Sequence, residues 1–248
     1  ESLLEPLIKR QKYLSTMANK TGLLEFDFPV LHSLRNDFKP SLDEQLAQGS
    51  KNIGVIFFEN TDLRPDALER ARAYDLIVTG STWNMNILKT KGLANVVNVF
   101  QGIDETIFKP AKKNDLYPGR FTIFSGGKLE YRKGQDAVIA AYKQFQSVHD
   151  EALLICAWAN QWPLIMLTIG NSTLVKNVPE VSENNHLKLS AWLETNGLDD
   201  DSFIDLGMPS NRNMPFHLAS ADTAIFPSRC EPGTNLVAME AMAVGLPV

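Results

Sequence analysis

The sequence lacks most of the features that define specialised classes of protein. Cysteine is rare: we expect Cys156 and Cys230, the only two, to be free thiols rather than a disulfide, as in a reducing cytosol. No apolar run reaches the roughly 18 residues that a membrane-spanning helix needs. Acidic residues outnumber basic ones, and the net charge of −5 argues against a nucleic-acid binder with a broad basic face. These absences favour an ordinary globular protein of the cytoplasm.

Common nucleotide-binding and metal-binding motifs are also absent. No Gly-x-x-x-x-Gly-Lys-Ser/Thr and no Gly-x-Gly-x-x-Gly occurs, which excludes a P-loop and the dinucleotide fingerprint. Histidine and cysteine form no cluster with ligand spacing, so we predict no metal site. The hydrophobic content of 44% and charged content of 21% are those of an ordinary globular protein, long enough for two modest domains.

The hydrophobic pattern alternates between helix and strand, which predicts an α/β fold with parallel sheets. Strands are predicted at 52–58, 75–79, 95–100, 121–124, 152–157, 202–206 and 222–226, and an extended run at 26–31. Helices are predicted at 2–20, 65–74, 82–91, 135–148, 186–196 and 215–221. The stretch 158–185 has two tryptophans, two prolines and several asparagines, and its pattern predicts no regular element.

A segment without periodicity divides the chain. Residues 111–119 are rich in Lys, Pro, Asn and Gly, as expected of a linker between a domain at 1–110 and a domain at 120–248. The chain starts at Glu1 without a methionine, and a strand is only beginning at its last residues. We therefore expect both domains to be incomplete, the first at its N-terminal part and the second at its C-terminal part.

A glycine-rich turn at 125–134 follows the first strand of the second domain. Gly127 and the glycine before it let the backbone approach a ligand closely. Lys128 and Lys133 flank the turn, and the helix after Gly134 directs its positive end the same way. This combination indicates a diphosphate clamp, and a solvated surface turn is the alternative interpretation.

The last 23 residues, 226–248, run from an apolar strand into a turn and then a helix. Glu231 lies in the turn and Glu240 inside the helix. A helix start offers free N–H groups to an anion, and a carboxylate binds sugar hydroxyls, which together suit a nucleotide sugar. Two acids about 5–10 Å apart also suit a glycosidase, and two surface acids with no function are the third interpretation. A glycosidase would not need the two lysines.

The segment 226–248 resembles the donor-site signature of retaining glycosyltransferases with the GT-B fold, of the family 4 type. That signature has two glutamates, and here eight residues lie between them, one more than usual. The turn at 125–134 resembles the Gly-Arg-Leu…Lys-Gly segment of the same family, with Lys128 at the Arg position and Lys133 at the Lys position. Segments 74–84 and 99–110 also resemble the family, so the resemblance extends from about residue 52 to the end.

The resemblance implies a fold and an activity. The fold would be GT-B, two Rossmann-like domains that face each other across a cleft, both incomplete here. The activity would be hexose transfer from a nucleoside-diphosphate sugar with retention at the anomeric carbon, without a metal or other cofactor. Lys128 and Lys133 would stabilise the leaving diphosphate, and Glu240 would bind the donor ribose. Glu231 would contact the transferred sugar and support the charge that develops at its anomeric carbon.

Other donor contacts follow from the same resemblance. Gly127 would lie beside the donor, as would Leu236 and the backbone N–H groups of Gly233, Thr234 and Asn235. His32 follows an extended run, where α/β sheets place ligands, and some members of the family have a histidine that contacts the donor sugar. A lone histidine is more often structural. We include His32 with Glu231, Lys133 and Lys128 as a candidate catalytic residue.

Two alternatives to a hexosyltransferase remain open. One is a nucleotide-sugar-binding module without catalysis, and the other is a different enzyme on the same fold, such as a phosphorylase or an epimerase. The expected partners are a nucleoside-diphosphate sugar and a sugar, lipid or protein acceptor, with no nucleic acid. A lipid-linked acceptor would add peripheral contact with a membrane.

Overall fold

The computed structural model describes residues 9, 12, 13, 16, 22–40, 47–182 and 187–248. The helix predicted at 2–20 lies outside this part of the chain, except for four positions. The chain divides into two units, one formed by 1–101 with 232–234 and the other by 102–231 with 235–248. We describe each unit by itself.

The first unit contains a parallel sheet of four strands in the order β2-β4-β5-β6, and a separate pair, β1-β3. The strands are β1 (Leu24–Glu25), β2 (Val30–Ser33), β3 (Ala47–Gln48), β4 (Asn52–Ile56), β5 (Leu76–Thr79) and β6 (Val96–Asn98). The helices are α1 (Pro65–Arg72) and α2 (Thr82–Thr90). Helix α1 begins at a proline, whose missing N–H has no intrahelical partner at that position. Helix α2 is capped by Ser81, whose side chain accepts a hydrogen bond from the Asn84 N–H.

The second unit contains a parallel sheet in the order β10-β7-β8-β9. The strands are β7 (Phe121–Lys128), β8 (Ala152–Ala159), β9 (Phe203–Asp205) and β10 (Thr223–Ala224). The helices are α3 (Gln135–Gln146), α4 (Pro163–Met166), α5 (Leu189–Thr195), α6 (Met214–Leu218) and α7 (Leu236–Val244). Short 3₁₀ turns occupy Tyr131–Lys133, Leu167–Asn171 and Asp200–Ser202.

Strand β8 explains how this second sheet is covered. Its residues are buried almost without interruption, as expected of a central parallel strand with helices on both faces. Leu154 and Trp158 pack with residues of α3 and α5 in one core cluster. Ile155 packs with residues of α6 and α7 in another. The alternation of the β8 side chains between two cores confirms the α/β fold with a doubly wound, Rossmann-like sheet.

Several elements differ from their predicted bounds. The extended run predicted at 26–31 is displaced, since the strand is β2. Strand β7 is longer than predicted because Gly127 and Lys128 stay paired with the end of β8, so the glycine-rich turn begins as strand. Of the stretch 158–185, the described residues 158–182 contain the end of β8 and then α4, a 3₁₀ turn and irregular chain. The sequence pattern did not predict these short elements, because prolines and asparagines interrupt the hydrophobic periodicity of this stretch.

The predicted linker at 111–119 belongs to the second unit, because the division of the chain falls between Gln101 and Gly102. The Ala111 N–H donates to the carbonyl oxygen of Val244 at 3.0 Å, and the Asn114 N–H donates to that of Ala219 at 2.9 Å. Lys113 forms an ion pair with Asp222. The segment lacks helix and strand, as its composition indicates, but its backbone is fixed along α6 and α7.

One glycine determines how two loops of the second unit approach each other. Gly134 has φ of +78°, in the left-handed region, and lies between the Tyr131–Lys133 turn and α3. A Cβ atom there would lie 2.2 Å from the carbonyl oxygen of Pro227. The loop after β10 therefore packs directly on the start of α3, with no room for a side chain between them.

Gly134→Ala should destabilise the protein by more than the roughly 1–2 kcal/mol of a left-handed alanine, because the new methyl group also meets backbone atoms. Urea unfolding of the variant and of Gly119→Ala measures the difference. Gly119 has a similar φ of +75° and open space around it, so its alanine variant has only the conformational cost. Equal losses in the two variants would contradict the close approach.

Candidate active site

Two polar loops leave the second sheet at the same edge. Strand β7 continues into the Tyr131–Lys133 turn, and β10 continues into residues 225–231. The two strands are parallel neighbours, with Ala224 opposite Phe124. Their loops therefore both leave at the carboxyl ends of the strands, where open α/β sheets bind ligands.

The carboxylate of Glu231 lies at the centre of this loop pair. Lys133 Nζ donates to Oε1 at 2.6 Å and to Oε2 at 2.9 Å, and Arg132 Nη1 donates to Oε2 at 3.0 Å. Ser228 Oγ donates to Oε1 at 2.7 Å. The side chains of Lys133 and Glu231 are only 17% and 18% exposed. The structure thus brings together two of the predicted catalytic residues.

Burial and charge act in opposite directions on Glu231. Burial raises the pKa of its carboxyl group, whereas the hydrogen bonds from Lys133 and Ser228 and the charges of Lys133 and Arg132 lower it. The lowering prevails, so the pKa lies below the ordinary value for glutamate. Glu231 is therefore a carboxylate at neutral pH, with a permanent negative charge at this edge of the sheet.

Arg132 is a functional candidate that the sequence analysis missed. Its Nη2 donates to Glu130 Oε1 at 2.6 Å, and its Nη1 also donates to the carbonyl oxygen of Cys230 at 2.8 Å. The Glu130 side chain is 10% exposed. The signal in the sequence was the run Glu130-Tyr131-Arg132-Lys133, which places a second cation and an acid next to the predicted lysine.

A second ion pair joins the same two loops. Arg229 donates to Asp136 through Nη1 to Oδ1 at 2.8 Å and through Nη2 to Oδ2 at 2.7 Å. Asp136, in the first turn of α3, is fully buried and also accepts from Ser172 Oγ. Burial raises the pKa of Asp136, but the bonds from Arg229 and Ser172 lower it more. The Arg229 guanidinium also lies 4.0 Å from the centre of the Tyr131 ring.

Lys128 has a different environment from Lys133. Its Nζ lies 4.1 Å from the centre of the Trp162 ring, a cation–π contact. Its side chain makes no hydrogen bond or ion pair within the described ranges. Gly127, just before it, has φ of +121° and open space where a side chain would be. The predicted approach of a ligand to this backbone is therefore sterically free.

Glu240 lies on α7, inside the helix as predicted. Its half-buried carboxyl group has no hydrogen bond or ion pair to any residue that the structure describes, and burial raises its pKa above the ordinary value. The helix begins at Leu236, and Asn235 caps it by accepting from the Ala238 N–H at 3.3 Å. The cap gives Asn235 a structural role beside the proposed donor contact.

Gly233 and Thr234 belong to the first unit, whereas Glu231 belongs to the second. The Thr234 N–H, predicted to face the donor, donates to Gln101 Oε1 at 3.2 Å. This N–H therefore has a protein partner in the structure. The sequence alone did not indicate it, because Gln101 is far away along the chain.

His32 also lies in the first unit, on β2, and is 3% exposed. Its Nε2 is 2.9 Å from Asn52 Oδ1, and its ring packs edge-on against Tyr74 at a centroid distance of 5.8 Å. These contacts suit a structural histidine, whereas its Nδ1 is buried without a hydrogen-bond partner among the described residues. A catalytic role for His32 stays a prediction.

The described residues offer neither a metal-binding group nor a membrane-spanning helix. Within the described residues, no three His, Cys, Asp or Glu side chains are grouped so that they could hold a metal ion. This includes Asp199, Asp200 and Asp201, which follow one another before β9. None of the helices in the described ranges is long and apolar enough to cross a membrane.

Comparison with known families identifies the class of protein. The family "Glycosyl transferases group 1" matches residues 106–248, more than half of the chain and nearly all of the second unit. The chain therefore belongs to this family, as its glutamate and lysine segments indicated. No curated protein matches the chain significantly.

Solved structures match over almost the whole chain. One is a sucrose-phosphate synthase from Thermosynechococcus elongatus, with a TM-score of 0.62, 17% identity, and coverage of 99% of this chain and 60% of that one. A trehalose-6-phosphate synthase matches with a TM-score of 0.64, 16% identity, and coverage of 94% and 60%. The catalytic domain of starch synthase IV from Arabidopsis thaliana, bound to ADP and acarbose, matches with a TM-score of 0.59, 12% identity, and coverage of 95% and 58%.

At these identities the likeness shows the fold alone, and it confirms the predicted GT-B class. The chain spans about 60% of the length of these three proteins.

Arg229→Gln should destabilise the second unit by roughly 2 kcal/mol, because it leaves the buried carboxylate of Asp136 without its cation. Urea unfolding at neutral pH measures the loss. The double variant Arg229→Gln/Asp136→Asn should lose less than the sum of the two single variants, since it removes the buried charge as well. Additive losses would show that the two side chains do not act as a pair.

The same pair has an expected pH dependence. Because the pKa of Asp136 is lowered in the folded protein, its stabilisation is present above the ordinary pKa and is lost as pH falls through the folded value. Wild type should thus lose more stability on acidification than Asp136→Asn does.

Proposed function

We propose that the protein transfers a hexose from a nucleoside-diphosphate sugar to an acceptor, with retention at the anomeric carbon and without a metal ion. The observation that carries the proposal is the contact of Lys133 with Glu231 at the carboxyl edge of the second sheet. Membership of the glycosyltransferase family supports the same reaction class.

The contact suits the charges that develop during glycosyl transfer. As the bond from sugar to phosphate breaks, negative charge grows on the departing diphosphate and positive charge on the anomeric carbon. Lys133, with Lys128 as a second cation, stabilises the diphosphate. Glu231 stabilises the positive carbon and accepts from sugar hydroxyls. Fixed charges of both signs, adjacent and largely shielded from water, require little reorganisation during the reaction.

Lysine and arginine also account for a reaction that needs no metal. A divalent cation in many transferases neutralises the diphosphate, and two lysines supply the same charge. The composition of this edge, with Arg132 beside Lys133, is consistent with that role.

Glu240 suits the ribose of the donor. A carboxylate can accept hydrogen bonds from both hydroxyls of a diol, and these bonds are stronger than those between neutral groups. Glu240 has no protein partner among the described residues, so its oxygens are available for a ligand. Hydroxyl donors would also offset the desolvation that raises its pKa.

The matched structures indicate which donors to examine. TarM from S. aureus was solved with UDP, and the starch synthase with ADP. The trehalose-6-phosphate synthase was studied for glycosyl transfer with retention. These properties belong to those proteins, and they make UDP- and ADP-sugars the first donors to test, with GDP-sugars alongside.

Calorimetric titration with UDP-, ADP- and GDP-sugars should show binding of one nucleotide class. Glu240→Gln should weaken that binding about tenfold or more, the loss expected for hydrogen bonds to a charged group. Glu180→Gln is the matched control, because the Glu180 side chain is exposed and pairs with Lys188 at the surface. Equal affinity of the Glu240 variant and wild type would remove Glu240 from the donor site.

Lys133→Ala should lower kcat about 100-fold or more, because it removes charge stabilisation of the departing diphosphate. The measurement is the nucleoside diphosphate released when the hexose is transferred from the donor to water or to an added acceptor. Lys188→Ala controls for the loss of one lysine. Donor binding without any product in wild type would instead favour the nucleotide-sugar-binding module.

A further inference from the structure

Lys133 has two roles that compete for the same ammonium group. In this structure its Nζ donates to both oxygens of Glu231, at 2.6 and 2.9 Å. The proposed function requires the same Nζ to donate to the diphosphate of the donor. An ammonium group has three hydrogens, and two of them point to Glu231, so a phosphate would take the third. The single positive charge of Lys133 would then be shared between Glu231 and the phosphate.

A phosphate close to Glu231 would favour protonation of its carboxylate, because two negative charges would lie near each other. The Glu231 side chain is 18% exposed, and burial by itself raises the pKa of a carboxyl group. A Glu231 that took up a proton would no longer support positive charge on the anomeric carbon. A second source of positive charge is therefore needed while Lys133 interacts with the donor.

We propose that Arg132 is a positioning residue that keeps Glu231 ionised and correctly oriented while Lys133 serves the diphosphate of the donor. This inference rests on the proposed function. The role is distinct from that of Lys133, because Arg132 acts on the donor only through Glu231.

The geometry of Arg132 suits such a role. Of the two terminal guanidinium nitrogens, Nη2 donates to Glu130 Oε1 at 2.6 Å, and Nη1 donates to Glu231 at 3.0 Å and to the Cys230 carbonyl oxygen at 2.8 Å. A planar guanidinium with both terminal nitrogens hydrogen-bonded is held in a fixed direction, which a lysine ammonium is not. Because Glu130 binds Nη2, Arg132 keeps its position when Lys133 also binds phosphate.

Apart from Lys133, Arg132 is the cation that hydrogen-bonds to Glu231 among the described residues. The Tyr131–Lys133 turn contributes Arg132 and Lys133. The loop of Glu231 itself contributes the hydroxyl of Ser228 and the guanidinium of Arg229, which is bound to Asp136. On α7, Glu240 has no hydrogen bond to Glu231. Of these groups, only Arg132 and Lys133 bring positive charge to the carboxylate.

Titration of the Glu231 side-chain carboxyl carbon by NMR tests this directly, without substrate. Arg132→Gln should raise the pKa of Glu231 by about one unit, the effect expected for loss of a close cation. Arg132→Lys should restore most of the shift, because it returns the charge. Arg120→Gln removes an arginine elsewhere in the same unit and should leave the titration unchanged. An unchanged pKa in Arg132→Gln would overturn the inference.

The Lys133→Gln variant tests whether Arg132 is sufficient. Glu231 should remain ionised at neutral pH in Lys133→Gln, and its pKa should rise further when Arg132→Gln is added. If Lys133→Gln alone raises the pKa as far as the double variant does, Arg132 does not hold the charge, and the inference fails. Arg132→Met, which also removes the charge, provides the same comparison if Arg132→Gln does not fold.

Turnover of the donor gives a second readout. In Arg132→Gln the acidic limb of the kcat–pH profile should move up by about one pH unit, with the KM for the donor within about a factor of two of wild type. A large rise in KM with unchanged kcat would show that Arg132 contacts the donor itself, against the inference. Failure of wild type to bind any nucleotide sugar would overturn the proposed function, whereas the NMR titration would still decide whether Arg132 holds the charge of Glu231.

Discussion

The ionised carboxylate of Glu231, bound by Lys133 and Arg132, is the interaction on which the rest of the site depends. It joins two loops that are about a hundred residues apart in sequence. The close approach at Gly134 and the pair of Arg229 with Asp136 join the same two loops. Three cations and three anions, with Glu130 as the last, thus form one cluster without net charge. A cluster without net charge can be largely buried. Because it has no excess of negative charge, it does not repel an anionic ligand.

The sheet of the second unit fixes the positions of the charged side chains in this cluster. Strand β8 is packed on both faces, and the loops that carry the charges begin where neighbouring strands end. The core of the unit therefore fixes the positions of these charges before any ligand binds. Glu240 and Lys128 differ from the cluster, since neither carboxylate nor ammonium has an ionic partner among the described residues. The candidate site thus has a preformed centre, the ion cluster around Glu231, and two side chains without ionic partners, Glu240 and Lys128, which the proposed donor would contact.

Much of this could be predicted from the sequence, and the limits have physical reasons. Strand–turn–helix junctions are local, so the positions of Glu231 and Lys133 in turns and of Glu240 inside the helix that follows could be predicted from neighbouring residues. The bonds of Arg132 and Arg229 could not be predicted, because each depends on how two distant loops approach. The contacts of His32 with Asn52 and Tyr74 could not be predicted either, because they depend on how neighbouring strands of the first unit pair and pack. The linker differed for a similar reason: composition indicates irregular chain, but only tertiary hydrogen bonds show to which unit that chain belongs.

The contact of Lys128 with Trp162 has a consequence of a different kind. The indole is 49% exposed, and the ammonium group lies over its face at 4.1 Å. The emission of an indole responds to charge near its ring, and here that charge is carried by a side chain proposed to turn toward phosphate. Trp158 and Trp192 are buried in the core, where such a movement would affect them little. Trp83 is exposed as well, but it belongs to the first unit. Binding of a donor at the glycine-rich turn, as proposed, would therefore change the fluorescence of Trp162 and would be measurable without a label.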